Sequence, residues 1–147
     1  MAAITTLVQR ARSGDLPQLI CALPSGWAVM GESQVLRGYC LLLPDPVVPN
    51  LNALQGAARL QYLEDMARLG DAVLTVTGAL RINYEILGNV DPELHAHVIP
   101  RFADEAEELR LKPIWFHDWA GAPRFSPEAF GELQEGLRRA LDSVIQS

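Results

Sequence analysis

The spacing of apolar residues divides the chain into helices and strands. Apolar positions three and four residues apart predict a short first helix within 4–11 and a long central helix within 50–80. Ser126 before Pro127 is typical of the start of a terminal helix. Short apolar runs bounded by glycine, proline or polar residues predict five strands: LICAL, WAVMG, GYCLLLP, RINYEIL and LHAHVIPRF.

The order of these elements predicts an α+β fold. Neighbouring strands joined by short turns favour an antiparallel sheet of about five strands, with the long helix packed on one face. Terminal helices flank this arrangement. No repeat or long Gly/Ser linker interrupts the 147 residues, so we expect one domain over 1–147. Within it, 103–147 forms a C-terminal extension that carries the aromatic segment PIWFHDW and the terminal helix.

Composition narrows the possible functions. The chain is 49% hydrophobic and 20% charged, which is typical of a folded protein. Its net charge of −6, with Lys112 as the only lysine, provides no basic face for DNA or RNA, so any phosphate site must be local. Cys21 and Cys40 have no CxxC spacing and are expected to be buried apolar residues. With no leader-like opening and no apolar run of membrane-spanning length, we expect a cytoplasmic protein that does not bind membranes.

The segment ELHAHVIPRF holds two of the three histidines of the chain. In a strand, Glu93, His95 and His97 would share one face, while Leu94, Ala96 and Val98 would share the other and enter the core. A neutral imidazole whose second nitrogen donates to a fixed acceptor is a competent nucleophile. One histidine could therefore attack phosphorus while the other neutralises the transferring group.

Two other interpretations of the same residues remain open. The pattern His-x-His beside a carboxylate could bind zinc or iron, with His117 or a remote acid as the third ligand. Alternatively, the two histidines simply line a polar face of the sheet.

The run LHAHVIPR resembles the signature of the histidine-triad (HIT) superfamily. GYCLLLPDPVVPNLNAL resembles the Gly-His-x-Leu-x-x-Pro strand of the family and the segment that leads into its long helix. NYEILGN resembles the polar strand and Gly-Gln loop before the histidines. The resemblance covers roughly 19–102 and is similar in kind to the bacterial branch labelled diadenosine-tetraphosphate-hydrolase-like.

The resemblance implies roles for the histidine segment. His95 matches the nucleophile that attacks the α-phosphorus and forms a nucleotidyl-histidine, and His97 matches the histidine that contacts the phosphate. Glu93 stands where the family has its first histidine. An acid there could orient an imidazole or accept a proton, and it also adds negative charge beside an anionic substrate.

Further binding residues follow from the same alignment. Asn89 stands at the position of the loop glutamine that reaches the phosphate, and Gly88 where the backbone approaches it. Asn83 lies near a nucleotide-binding position, and Arg101 is a candidate phosphate ligand. Asn89 is also an ordinary turn residue, and an arginine at a strand end is commonly solvated. The apolar nucleoside pocket would use residues near Leu23, Trp27, Val29 and Leu43, all of which also suit a core.

These expectations describe a HIT-type nucleotide hydrolase or transferase. It would cleave a phosphoanhydride bond of a dinucleoside polyphosphate, or a phosphoramidate bond, and the resemblance implies a homodimer. No protein-bound metal or other cofactor is required, although a polyphosphate substrate would carry magnesium. The alternatives are a nucleotide-binding sensor or interaction protein with little turnover, and a metal-dependent hydrolase. The sequence does not specify the base or the number of phosphates.

Overall fold

Five strands form one antiparallel sheet in the computed structural model, which describes residues 4–146; positions 1–3 and 147 of the predicted domain lie outside the described residues. The predicted α+β class and five-stranded antiparallel sheet are confirmed. The elements are α1 Ile4–Ser13, β1 Leu19–Leu23, β2 Gly26–Met30, β3 Cys40–Pro44, α2 Gly56–Thr77, β4 Arg81–Glu85, β5 Ala96–Arg101, α3 Glu107–Arg110 and α4 Pro127–Gln146, with short 3₁₀ turns at Leu51–Ala53 and Ile114–Phe116.

The strand order β1-β2-β3-β5-β4 places β5 inside the sheet and β4 at an edge. His97 of β5 lies opposite Leu41 of β3 on one side and opposite Glu85 of β4 on the other. Arg81 lies opposite Arg101 at the far end of the β4–β5 pair. The histidine-bearing strand is therefore held on both sides.

Helices α2 and α4 cover one face of the sheet. Ala96 and Val98 of β5 and Leu42 of β3 are fully buried there, and the Tyr62 hydroxyl of α2 donates to the carbonyl of Leu42 at 2.8 Å. Cys40 is buried on this side, as predicted, whereas Cys21, for which burial was also expected, is half-buried. This is the main core.

Two parts of the chain pack against the opposite face of the sheet. Helix α1 packs on Val29 and Leu43, so two of the residues proposed for a nucleoside pocket belong to a core cluster instead. Near the middle of the sheet, Tyr39 and Ile99 pack against Ile114 of the C-terminal extension. The extension thus covers the side of β5 that carries His97.

Four predicted elements are longer than the observed ones; two of them are the strands predicted over 38–44 and 81–87, which are observed as β3 Cys40–Pro44 and β4 Arg81–Glu85. Helix α2 ends at Thr77 because Gly78 adopts a left-handed conformation, with φ of 69°, and caps it. The last strand begins at Ala96 rather than at 94, because the Leu94 N–H donates to the Val48 carbonyl at 2.9 Å instead of joining the strand ladder. Among the described helices, none has the length and apolar character needed to cross a membrane.

Candidate active site at the start of β5

The two histidines of the signature lie side by side where β5 begins. Their ring centroids are 4.9 Å apart, and the ring planes meet at 71°. Leu94, Ala96 and Val98 are buried in the main core, which places the histidines on the opposite side, as the alternation predicts. His95 is half-buried just before the strand, whereas His97 is buried within it.

The main chain determines which tautomer the neutral His95 ring adopts. Its Nδ1 lies 2.7 Å from the carbonyl oxygen of Glu93. Because a carbonyl oxygen can only accept a hydrogen bond, Nδ1 carries the hydrogen and donates it. The Nε2 atom of the neutral ring therefore holds a lone pair, as nucleophilic attack requires.

Tyr39 sets the protonation of the His97 ring. The tyrosine oxygen lies 2.6 Å from His97 Nδ1, and the two rings are stacked with an interplanar angle of 10°. Burial raises the pKa of the Tyr39 hydroxyl, which keeps its hydrogen available for donation. Burial, assisted by the nearby His95, lowers the pKa of His97 to about 4. His97 is therefore neutral at pH 7, with its hydrogen on Nε2 as a donor.

Tryptophans of the C-terminal extension contact this side of the site. The ring of Trp115 packs edge-on to His97, with centroids 5.2 Å apart, and stacks on Trp119 at 5.1 Å. Trp119 also meets the edge of Tyr39 at 5.9 Å. The Trp115 Nε1–H donates to the carboxylate of Glu85, the β4 residue opposite His97. The aromatic segment therefore forms a wall beside His97.

Sequence reasoning missed Tyr39 and Glu85 as parts of the site and left open the role of the aromatic segment that contains Trp115. A signal existed for Tyr39, which follows Gly38 where the resembling family strand has histidine after glycine. No comparable signal existed for Glu85 and Trp115, because their contact depends on how the extension folds back over the sheet.

Glu93 contributes its main chain to the site, while its carboxylate binds α1. The carboxylate accepts hydrogen bonds from the Thr5 hydroxyl at 2.7 Å and from the Thr5 N–H at 3.2 Å. A negative charge at a helix N-terminus is favourable, because the N–H groups there lack partners in the helix. The structure therefore brings the carbonyl of Glu93, rather than its carboxylate, into contact with His95.

Removing this carboxylate is expected to affect stability through Thr5. Glu93→Ala should lower the free energy of unfolding by about 1 kcal/mol, because an exposed charge-assisted contact at a helix start is lost. Urea unfolding of Glu93→Ala, Thr5→Ala and the double variant measures the coupling between the two residues. Strictly additive losses would show that the Glu93 carboxylate does not act through Thr5.

A cavity of about 250 Å³ opens beside His95. Gly88, in the loop between β4 and β5, lines it and has φ of 72°, a conformation that favours glycine. Asn89, the next residue, is exposed. Three of the predicted site residues line the cavity: Gly88, Glu93 and His95. The full lining is Asn50, Leu51, Asn52, Ile86, Leu87, Gly88, Pro92, Glu93, Leu94 and His95.

The other two predicted binding residues form a separate cluster at the far end of β5. The guanidinium of Arg101 donates to Asn83 Oδ1 at 2.9 Å and to Glu105 Oε1 at 2.9 Å. His117 Nε2 donates to the same Glu105 oxygen at 3.0 Å. Although burial opposes it, the hydrogen bonds from Arg101 and from the Phe102 N–H hold the pKa of Glu105 below its usual range. A direct phosphate contact by Arg101 stays a prediction, and this pairing argues against it.

The metal interpretation lacks the ligand set that it needs. His117 binds Glu105, and the carboxylate of Glu93 binds Thr5, so neither completes a site with His95 and His97. Throughout 4–146, no three or more His, Cys, Asp or Glu side chains are grouped to hold a metal ion.

Comparison with solved structures identifies the fold. A histidine triad protein from Bradyrhizobium japonicum superposes with a TM-score of 0.73 at 21% identity, over 90% of this chain and 94% of that one. One from Sinorhizobium meliloti gives 0.73 at 19% identity, over 94% and 99%. A hypothetical histidine triad nucleotide-binding protein from Sulfolobus tokodaii gives 0.73 at 14% identity, over 95% and 93%. No protein-family model and no curated protein matches the sequence. The chain therefore has the fold of histidine triad proteins.

Proposed function

We propose that this protein is a member of the histidine-triad superfamily that cleaves a phosphoanhydride or phosphoramidate bond of a nucleotide through a nucleotidyl-histidine. The observation that carries the proposal is the 2.7 Å hydrogen bond from His95 Nδ1 to the Glu93 carbonyl. In the neutral ring this bond puts the hydrogen on Nδ1 and the lone pair on Nε2, in a half-buried ring next to a cavity. Those are the features of an activated imidazole nucleophile.

The reaction has two displacements. His95 Nε2 attacks the α-phosphorus and forms a P–N bond, while the bond from phosphorus to the bridging oxygen or amine nitrogen breaks. The leaving group departs with the bonding electron pair and takes up a proton from water. Water then attacks the same phosphorus, breaks the P–N bond and releases a nucleoside monophosphate. His95 returns to its neutral form.

His97 supports this reaction as a neutral donor. With Nδ1 accepting from Tyr39, the Nε2–H is available to an oxygen of the transferring phosphoryl group. A pKa of about 4 keeps the His97 ring neutral, so this ring places no positive charge beside His95. The main chain at Gly88 and the amide of Asn89 are the proposed phosphate contacts of the loop.

A dinucleoside polyphosphate such as diadenosine tetraphosphate is the first candidate substrate, and it would carry its own magnesium. We place the reaction in the cytoplasm, with a small nucleotide rather than a nucleic acid as the ligand. We further propose a homodimer. Leu60 on α2 is 70% exposed and Tyr84 on the edge strand β4 is 40% exposed, and large exposed apolar side chains of this kind are ones that a second copy could cover.

Trapping of the covalent intermediate tests the proposal. Brief incubation of excess enzyme with a dinucleotide labelled in its α-phosphate should give an adduct that is stable to alkali, labile to acid and located at residue 95. The expected yield approaches one label per active chain when water attack is slower than transfer. Two outcomes would contradict the mechanism. In one, nucleoside monophosphate forms although no residue carries the label; in the other, the label is on a residue other than 95.

A nucleotide sensor is the second candidate. It is favoured by the pairing of Arg101 with Glu105, which removes one cation from the predicted phosphate contacts. A sensor would bind the dinucleotide tightly in calorimetry and form no adduct with it. The trapping experiment therefore separates the two functions.

A further inference from the structure

Glu85 places a carboxylate directly beside His97. The two residues lie opposite each other in the β4–β5 pair, so their side chains point to the same face of the sheet with Cβ atoms about 5 Å apart. The charge of Glu85 also reaches Tyr39: burial raises the pKa of that tyrosine, and Cys40 and Glu85 add to the rise. The Tyr39 hydroxyl in turn lies 2.6 Å from His97 Nδ1. The Glu85 side chain is therefore within reach of the His97 ring.

A carboxylate that is free to approach His97 would change the properties of its ring. An imidazole beside a carboxylate donates its N–H to that carboxylate, and its pKa rises because the opposite charge favours the protonated form. The Nε2–H is the one hydrogen that the neutral His97 ring can donate, since Nδ1 accepts from Tyr39. A hydrogen bond from Nε2 to Glu85 would withdraw this donor from a substrate.

The carboxylate of Glu85 is bound by Trp115 instead. The indole Nε1–H donates to Glu85 Oε2, and among the side chains that the structure describes Glu85 forms no hydrogen bond or salt bridge with His97. The Trp115 ring is fixed in place, because it stacks on Trp119 with centroids 5.1 Å apart and packs edge-on to His97 at 5.2 Å. Its N–H is therefore a donor at a constant position, which holds the carboxylate.

The charges around His97 make the position of Glu85 decisive. The titratable groups that face His97 are Tyr39 from the residue before β3, His95 from the segment before β5 and Glu85 from β4, while the extension presents the ring of Trp115. Burial and, to a smaller extent, His95 lower the pKa of His97 to about 4. The Tyr39 hydroxyl is neutral at pH 7, because its pKa is raised. Glu85 is thus the facing group whose charge would favour a protonated His97.

We propose that Trp115 is a positioning residue that holds the Glu85 carboxylate away from His97 and so leaves the Nε2–H of His97 free to donate to a phosphoryl oxygen. Trp115 acts through Glu85 and does not itself need to touch the substrate. The effect on the His97 hydrogen follows from the contacts of the site, whereas its use in catalysis rests on the proposed function. The C-terminal extension is then part of the working site, although it lies outside the histidine signature.

Titration of the His97 ring by NMR tests the inference in the wild type and three variants. Trp115→Phe keeps an aromatic ring but removes the N–H that holds Glu85, so the pKa of His97 should rise by about two pH units or more. Trp115→Phe/Glu85→Gln also lacks the carboxylate charge, so its His97 pKa should be lower than that of Trp115→Phe by about one pH unit or more. Trp119→Phe is the matched control. It removes an N–H that donates to the Ile114 carbonyl at 3.2 Å, and the His97 pKa should stay at the wild-type value.

The double variant separates capture by Glu85 from simple hydration of the His97 ring. A smaller side chain at position 115 also admits water, and hydration alone would raise the His97 pKa equally in Trp115→Phe and in the double variant. Such an equal rise would overturn the inference. It would also be overturned by an unchanged His97 pKa in Trp115→Phe, or by the same rise in Trp119→Phe.

Turnover of diadenosine tetraphosphate separates this inference from the proposed function. In Trp115→Phe, kcat should fall about tenfold or more, because a phosphoryl oxygen loses its donor, and the added Glu85→Gln change should recover most of that loss. If the protein forms no adduct at residue 95, the proposed function fails, while the NMR titration still shows whether Trp115 keeps Glu85 from His97. If the adduct forms but kcat is unchanged in Trp115→Phe, or is not recovered in the double variant, the positioning role of Trp115 fails and the proposed function stands.

Discussion

Replacing His95 with asparagine is expected to lower kcat for nucleotide hydrolysis by about 10⁴-fold or more. The variant lacks the Nε2 lone pair, and no covalent nucleotidyl intermediate can form at an amide. The free energy of unfolding should change by less than about 1 kcal/mol, because His95 is half-buried and lies outside the strand ladder. Steady-state kinetics and urea unfolding of the same preparation measure both quantities.

His95→Ala serves as a second variant, because it removes the hydrogen bond to the Glu93 carbonyl as well as the proposed nucleophile. Both variants should still bind the dinucleotide, which calorimetry can verify. Turnover within tenfold of the wild type in either variant would show that another group attacks phosphorus.

Acidification is expected to destabilise the fold through His97 by up to about 3 kcal/mol. Burial lowers the folded-state pKa of His97 from 6.5 to about 4. Between these values the unfolded chain binds a proton that the folded chain does not, so the free energy of unfolding falls as the pH drops from 6.5 to 4. Above pH 6.5 both states are neutral at this residue and its contribution is constant. Each pKa unit corresponds to about 1.4 kcal/mol.

Other groups also titrate in this range, so the measurement is a comparison. Urea unfolding of the wild type and of His97→Gln at a series of pH values isolates the contribution of the one ring, since the remaining carboxylates and histidines are common to both. The wild type should lose more stability than the variant between pH 6.5 and 4. Parallel curves would mean that His97 is solvated or already charged in the folded protein.

The fold was predictable because its determinants are local. The alternation of Leu94, Ala96 and Val98 with the histidines assigned the faces of β5, and the three- and four-residue spacing located α2. Such patterns need only neighbouring residues and the geometry of strands and helices. The element ends were less predictable, since Leu94 leaves the ladder for a hydrogen bond with Val48, a residue distant in sequence.

The proximity of the candidate site residues was predictable only where the signature is contiguous. His95, His97, Gly88 and Glu93 are near one another in sequence and also near the cavity. Contacts between distant segments gave no sequence signal. The carboxylate of Glu93 meets Thr5, which is 88 residues away. The pairing of Arg101 with Glu105, only four residues away, was not predicted either, because it depends on the conformation of the turn after β5. Electrostatic pairing of this kind depends on loop conformation, which periodicity does not describe.

The hydrogen-bond acceptor for His95 Nδ1 is a peptide oxygen, and every amino acid supplies one. Any residue that keeps the local backbone conformation can therefore supply this acceptor at position 93. The side chain at that position is then free to make other contacts. In this protein the Glu93 side chain accepts hydrogen bonds from Thr5 and so connects the amino-terminal helix to the segment that bears His95. A glutamate at position 93 is therefore compatible with the proposed role of His95, because the acceptor for Nδ1 comes from the main chain whichever side chain stands there.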